Sequence, residues 1–191
     1  MFLSIKEKII LFYYFLASKK NKWEYIEYFD ESWKHRIKEM VKLIPEDARS
    51  ILDIGCGDSW LRTFIKSDCK YYGVDYKKRD SHTIVCDLNQ RQFPRGMKVD
   101  VAFCSGVLEY IEKINLEWFF QQIRESSSVL LLSYCTLELN KNLRGRISLC
   151  WKNHFYKEDL IRFIERIGFS FVHESDFSVD GNQIFKFDSK Y

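Results

Sequence analysis

Proline and glycine are scarce, at 2 and 8 of 191 residues. So few chain breakers exclude a linker-rich or collagen-like chain and leave little room for long irregular loops. The six cysteines (Cys56, Cys69, Cys86, Cys104, Cys135 and Cys150) form no C-x-x-C pair and no Cys/His cluster at zinc spacing, so no metal site is expected. A disulfide framework suits a smaller secreted domain, and three of these thiols end apolar runs, where they act as small hydrophobes. A reduced, cytoplasmic protein is expected. The formal net charge is only +3, without a concentrated basic stripe, which argues against a nucleic-acid partner. No apolar run reaches the roughly 20 residues that a membrane-spanning helix needs.

What is present is the composition of a globular protein: 46% hydrophobic, 30% charged and 17% aromatic residues. The length accommodates one well-buried domain and is too short for two ordinary ones. The apolar run at residues 9–17 follows Lys6 and Lys8 but precedes Lys19 and Lys20, and no small residue marks a cleavage site. It reads as a helix packed on the domain or on a second subunit. A membrane-surface helix is the sharper alternative, and a cleaved signal the weakest.

Residues 21–44 carry apolar side chains at three- and four-residue spacing (Trp23, Ile26, Phe29, Trp33, Ile37, Met40, Ile44), which predicts one or two amphipathic helices. The Pro45-Glu46-Asp47 break ends that pattern and divides an N-terminal helical extension, 1–45, from the main domain, 46–191. From Ser50 on, short apolar runs alternate with amphipathic stretches, as in a parallel sheet with crossover helices. Strands are expected at 50–54, 71–74, 83–86, 99–104, 129–134, 169–174 and 184–187. Helices are expected at 59–67, 116–125 and 157–167. Asp180-Gly181 predicts a hairpin turn between the last two strands, and 89–98 reads as an irregular connection.

Residues 51–59 read I-L-D-I-G-C-G-D-S: an apolar strand, a glycine turn, then a helix start. Such a turn lets a ligand approach the backbone at the carboxyl end of a strand. A dinucleotide fingerprint would have a third glycine where Leu61 stands, and it would receive a pyrophosphate. Here Asp53 and Asp58 flank the glycines. Two carboxylates facing a pyrophosphate would each cost about 3–4 kcal/mol at ~5 Å and an effective dielectric near ~20. S-adenosylmethionine (SAM) carries an ammonium and a sulfonium and no phosphate, so the charge pattern favours it over NAD.

With these residues in view the chain resembles the class I SAM-dependent methyltransferases, over residues 48–191. The resemblance implies a Rossmann-like α/β fold: a seven-stranded, mainly parallel sheet with an antiparallel last strand and helices on both faces. D-I-G-C-G-D-S is similar to the family's first motif, and implies that Asp53, Gly55, Cys56 and Gly57 surround the methionine part of SAM. Asp75, followed by Tyr76 at the end of the second strand, matches the acidic residue that bonds both ribose hydroxyls. A carboxylate can accept two such O–H bonds. Cys86-Asp87-Leu88 is similar to the adenine clamp, with Asp87 accepting from the exocyclic amine and Leu88 offering its N–H. Ser105 and Gly106 are expected to line the pocket, with Glu109 and Tyr110 one helical step further, facing either substrate or cofactor. Ser59, where many members have glycine, departs from the pattern.

Methyl transfer needs chiefly alignment of the acceptor and exclusion of water, with a base where a hydroxyl must lose its proton. His154 is the first candidate base, and Tyr134 and Glu109 are the other candidate catalytic residues. The expected function is SAM-dependent methylation of a small-molecule acceptor at a hydroxyl, of a saccharide or cell-surface precursor by family analogy. The extension serves as a lid or as a homodimer contact. The alternative is a non-catalytic SAM-binding-fold subunit acting as a regulatory or scaffold partner, with a NAD-dependent oxidoreductase a distant third.

Overall fold

The computed structural model describes residues 29–175 and 178–190. The run at 9–17 and the predicted helical segment before Phe29 lie outside them. One helix of the extension is described, α1 (Trp33–Val41). It is followed by β1 (Ser50–Ile54), β2 (Lys70–Asp75), β3 (Ile84–Val85), β4 (Val99–Ser105), α2 (Leu116–Ser126), β5 (Ser127–Tyr134), α3 (Leu143–Ser148), α4 (Lys157–Arg166), β6 (Phe169–Glu174) and β7 (Gln183–Ser189). Among the described residues no helix is long and apolar enough to cross a membrane.

The seven strands form one sheet in the order β3-β2-β1-β4-β5-β7-β6. β1 pairs in parallel with β2 and β4, and β4 with β5, whereas β7 runs antiparallel to both β5 and β6. The expected mixed sheet is therefore present. The strand order reverses at β1, and the crevice beyond the carboxyl ends of β1 and β4 is the topological switch point where ligands of such sheets bind.

The near-continuous apolar runs of the central strands divide between two faces because successive side chains alternate. Leu52, Ile54, Ala102, Cys104, Leu130 and Leu132 pack against Phe119, Phe120 and Ile123 of α2 and Leu160 and Ile164 of α4. Ile51, Val101, Phe103 and Leu131 face the other way, onto Met40 of α1 and Leu61. Thus helices cover both faces.

The structure corrects two expectations. The helix predicted over 59–67 is only a 3-10 turn, Trp60–Thr63. Ser59 enters it at φ 57, without a side-chain cap, and the Thr63 hydroxyl bonds back to the Trp60 carbonyl. Trp60, Thr63, Phe64 and Ile65 are also modest helix formers. α3 was not expected at all. The hairpin turn is as expected: Asp180 and Gly181 both have positive φ, and Val179 and Asn182 exchange backbone hydrogen bonds, which is the type I′ geometry that matches strand twist.

Candidate active site

A cavity of about 950 Å³ opens over the carboxyl ends of β1, β2 and β4. Its β1–β3 half is lined by Asp53, Gly55, Cys56, Gly57, Asp75, Tyr76, Asp87 and Leu88, and Ser105, Gly106, Glu109 and Tyr110 line the part beyond β4. The predicted binding residues, scattered over almost sixty positions, are thus brought together by parallel pairing alone.

The turn after β1 is tied to the end of β2. The N–H groups of Gly55 and Cys56 both donate to the Val74 carbonyl, at 2.7 and 2.9 Å. Gly57 N–H donates to Asp75 Oδ2 at 3.0 Å, and Lys77 N–H donates to Asp75 Oδ1 at 3.0 Å. Arg79 Nε stands 3.3 Å from the same Oδ1. Asp75 is 5% exposed, so its carboxylate is fixed in place with lone pairs to spare for hydroxyl donors. Gly55 is needed for its φ of +71 and because a Cβ there would run into the Val107 side chain.

Asp53, also buried, accepts from Tyr71 Oη at 2.7 Å. Burial, opposed by the Tyr71 bond and reinforced by the nearby Asp75 charge, raises its carboxyl to about 7. The Cys56 thiol is pushed up to about 12, by burial first and then by Asp53 and Asp75, so it is not nucleophilic. Asp87 accepts from Asn89 N–H at 2.9 Å, capping the turn that holds Leu88.

Two arginines that sequence reading passed over are central. Arg36 on α1 is 6% exposed, lines the cavity, and donates from Nε to Ser105 Oγ at 3.1 Å. A Cβ on Gly106 (φ +67) would press on its Nη2. Arg146 on α3 is fully buried. It donates to His154 Nδ1, Tyr134 Oη and the carbonyls of Thr136 and Asn140, and lies 4.7 Å above the Trp151 ring.

That hub moves two predicted catalytic residues away from the ligand. Tyr134 is fully buried on the α2/α4 side, and neither it nor His154 lines the cavity. Tyr134 Oη donates to Asn153 Oδ1 at 2.8 Å and accepts from Phe155 N–H and Arg146. His154 Nδ1 is occupied by the Arg146 guanidinium at 3.1 Å. Burial, and then the Arg146 charge, lowers the His154 pKa. The remaining ring nitrogen of this neutral histidine therefore carries the proton and cannot accept one. Glu109 stays on the cavity: Oε1 accepts from Cys135 N–H at 2.9 Å, while Oε2 is buried with no hydrogen-bond partner among the described residues.

A 3-2-1-4-5-7-6 sheet with a glycine turn after β1 and a fixed carboxylate ending β2 is the class I methyltransferase fold. The chain belongs to the methyltransferase-domain family, whose sequence profile matches residues 25–174. No curated protein sequence matches it. Among solved structures it is similar to magnesium protoporphyrin IX methyltransferase (ChlM) from Synechocystis PCC 6803 with bound S-adenosylhomocysteine. There the TM-score is 0.66 at 17% identity, over 95% of this chain and 99% of that one. It is also similar to the 1,6-didemethyltoxoflavin-N1-methyltransferase of Burkholderia thailandensis, at a TM-score of 0.68 and 10% identity, over 100% and 92% of the two chains. The pyocyanin biosynthetic protein PhzM gives 0.63 and 14%, over 80% of this chain. The chain spans about half of PhzM, 54% of its length. At these identities the likeness is one of fold.

Proposed function

We propose that this protein is a SAM-dependent methyltransferase that methylates a hydroxyl of a small-molecule acceptor. The observation that carries this reading is the charge layout of the cavity. A buried cation, Arg36, stands at the end of β4, and buried carboxylates stand at the ends of β1 and β2. The amino-acid part of SAM is a zwitterion and its ribose is a diol, so the three groups match it one for one. Arg36 would hold the carboxylate, Asp53 would face the ammonium, and Asp75 would accept from the ribose hydroxyls. Gly55 and Gly57, where an added Cβ would strike Val107 and Phe29, keep the turn close to the space for the methionine part. Asp87 and Leu88 border the space left for the adenine.

SAM supplies a methyl group already activated on a sulfonium. The protein's own part is to bind, align and dry the site. Trp33 and Arg36 belong to the N-terminal extension and line the cavity, which supports a role for the extension in covering the site. A scaffold subunit would have no use for a buried, cavity-facing arginine beside two buried carboxylates.

The test is thermal unfolding with SAM, S-adenosylhomocysteine, NAD and ATP in turn. Ligand at about 100 times its Kd stabilises the fold by about 2.7 kcal/mol. The SAM pair alone should do so. Arg36→Met should weaken SAM binding by roughly 10- to 100-fold, the value of one charge-assisted bond of about 1.5–3 kcal/mol. A response to NAD instead, or none to SAM, refutes the reading.

A further inference from the structure

We propose that Glu109 takes the acceptor's proton through Oε2 and that the acceptor is an aromatic hydroxyl meeting Trp33 and Trp151; this rests on the methyltransferase reading above. The argument begins with an imbalance. Glu109 is 2% exposed and borders the cavity. Its Oε1 accepts the Cys135 N–H, and its main-chain carbonyl accepts the Lys152 N–H at 2.7 Å. Oε2 has no partner among the described residues. A buried carboxyl oxygen left bare is costly, and such atoms in folded proteins call for an explanation. A ligand O–H supplies the missing donor.

The surroundings suit a base. Burial raises the Glu109 carboxyl, while Cys135 N–H, Arg36 from α1 and Arg146 from α3 favour its charged form. The other titratable groups facing it are Cys104 on β4, Tyr134 and Cys135 on β5, and Tyr110 on its own turn. Burial raises all four, so they stay neutral and do not compete for the proton. Glu109 is thereby more basic than an ordinary carboxylate, the direction that general-base work requires.

The walls define the acceptor. Beyond β4 the cavity is bounded by Trp33, Ile37, Leu139, Leu149 and Trp151, with Asn140, Lys152, Asp180 and Asn182 also in its lining. Trp151 is fixed by its Nε1 bond to Tyr110 Oη at 3.1 Å and by the guanidinium over its ring. Two indole rings beside one bare carboxyl oxygen suit a planar ring with a hydroxyl on its edge. In the reaction the acceptor O–H bond breaks and its proton passes to Oε2. The oxygen forms a bond to the methyl carbon as the carbon–sulfur bond breaks, and the electron pair stays on sulfur as a neutral thioether. The proton then leaves Glu109 for solvent.

The experiment compares wild type with Glu109→Gln, which keeps an oxygen for the Cys135 N–H, both saturated with S-adenosylhomocysteine. The binding probe is 4-nitrophenol, whose ionisation is read by absorbance. Wild type should bind it saturably and keep it protonated to higher pH. In the variant the bound probe should ionise about one pH unit lower, a tenfold change in ratio. With phenol as acceptor and saturating SAM, formation of S-adenosylhomocysteine should fall about 100-fold or more in the variant, the usual worth of a general base. SAM should stabilise both proteins alike. Equal probe ionisation or equal rates in the two proteins overturn the role of Glu109. Failure of wild type to bind 4-nitrophenol or to methylate phenol overturns the acceptor class. Failure of SAM to stabilise wild type overturns the methyltransferase reading itself.

Discussion

Asp53 should be a liability to the ligand-free protein at neutral pH, and Asp53→Asn should reveal its size. The carboxyl rises from an ordinary 3.8 to about 7 because it is buried, despite the Tyr71 bond. At 1.36 kcal/mol per pH unit, that rise corresponds to about 4 kcal/mol. The sign follows from linkage. A folded-state pKa above the unfolded value means that the folded protein holds the proton more tightly. Stability from this group is therefore full below about pH 4 and is lost as the pH rises to about 7, after which the loss is constant. The asparagine amide preserves the shape and can still accept from Tyr71 Oη, but cannot ionise. Urea unfolding of both proteins without ligand, from about pH 4 to about pH 8, measures the difference. The two should be nearly equal at the acid end, with the variant ahead by up to about 4 kcal/mol at the alkaline end. Asp30, Asp80 and Asp100, all lowered by hydrogen bonds, are common to both proteins and cancel. SAM binding should show the opposite sign: wild-type affinity should rise through pH ~7 as Asp53 ionises against the ammonium, and the variant should bind more weakly. A stability difference independent of pH, or a variant less stable than wild type at pH ~8, would refute the account of Asp53.

Two other sites are testable by stability. Gly55→Ala places a Cβ into Val107 at a φ of +71, combining a left-handed backbone cost of about 1–2 kcal/mol with overpacking of about 1–3 kcal/mol. Adding Val107→Ala should recover only the packing part in urea melts, and full recovery would show that the backbone is unstrained. Arg146→Met leaves the acceptors at His154, Thr136 and Asn140 without their donor and should destabilise the fold by about 3 kcal/mol or more. With the neighbouring charge gone, the His154 pKa should rise, as followed by NMR titration; a further fall would contradict the arrangement.

Most of the sheet was legible because parallel strands buried on both faces must be apolar along their whole length. The expected bounds of β1, 50–54, match the observed ones residue for residue, and so do those of β6, 169–174, although it is an antiparallel edge strand. The β1–β3 half of the cavity was legible for a related reason. Its groups sit at strand ends, where a carboxylate or glycine interrupts an apolar run, and Asp53, Gly55, Asp75 and Asp87 all do so. The crossover at 59–67 was misread because apolar spacing says nothing about Ser59 taking a left-handed conformation. Tyr134 shows a subtler error. Its position at the end of β5 is correct, but strand alternation sends it to the same face as Leu130 and Leu132, beneath the cavity floor.

Both overlooked arginines were hidden by the expectation that charges face water, yet each stands on an apolar stripe. Arg36 is three residues after Trp33 and four before Met40, and Arg146 lies three after Leu143 and four before Cys150. A cation at such a position is either solvated by snorkelling or held by the interior. Interior placement demands acceptors for its five donors. Arg146 meets that demand within the fold, through side-chain and carbonyl partners of β5, the 140 turn and His154, and so serves as a strut behind the acceptor wall. Arg36 does not: among the described residues its side-chain hydrogen bond goes to Ser105 Oγ, Glu109 and Asp180 act on it only through their charge, and it faces the cavity. The difference separates an arginine that completes the protein from one that an anion completes. It also makes the extension part of the cavity, because α1 carries both Arg36 and Trp33.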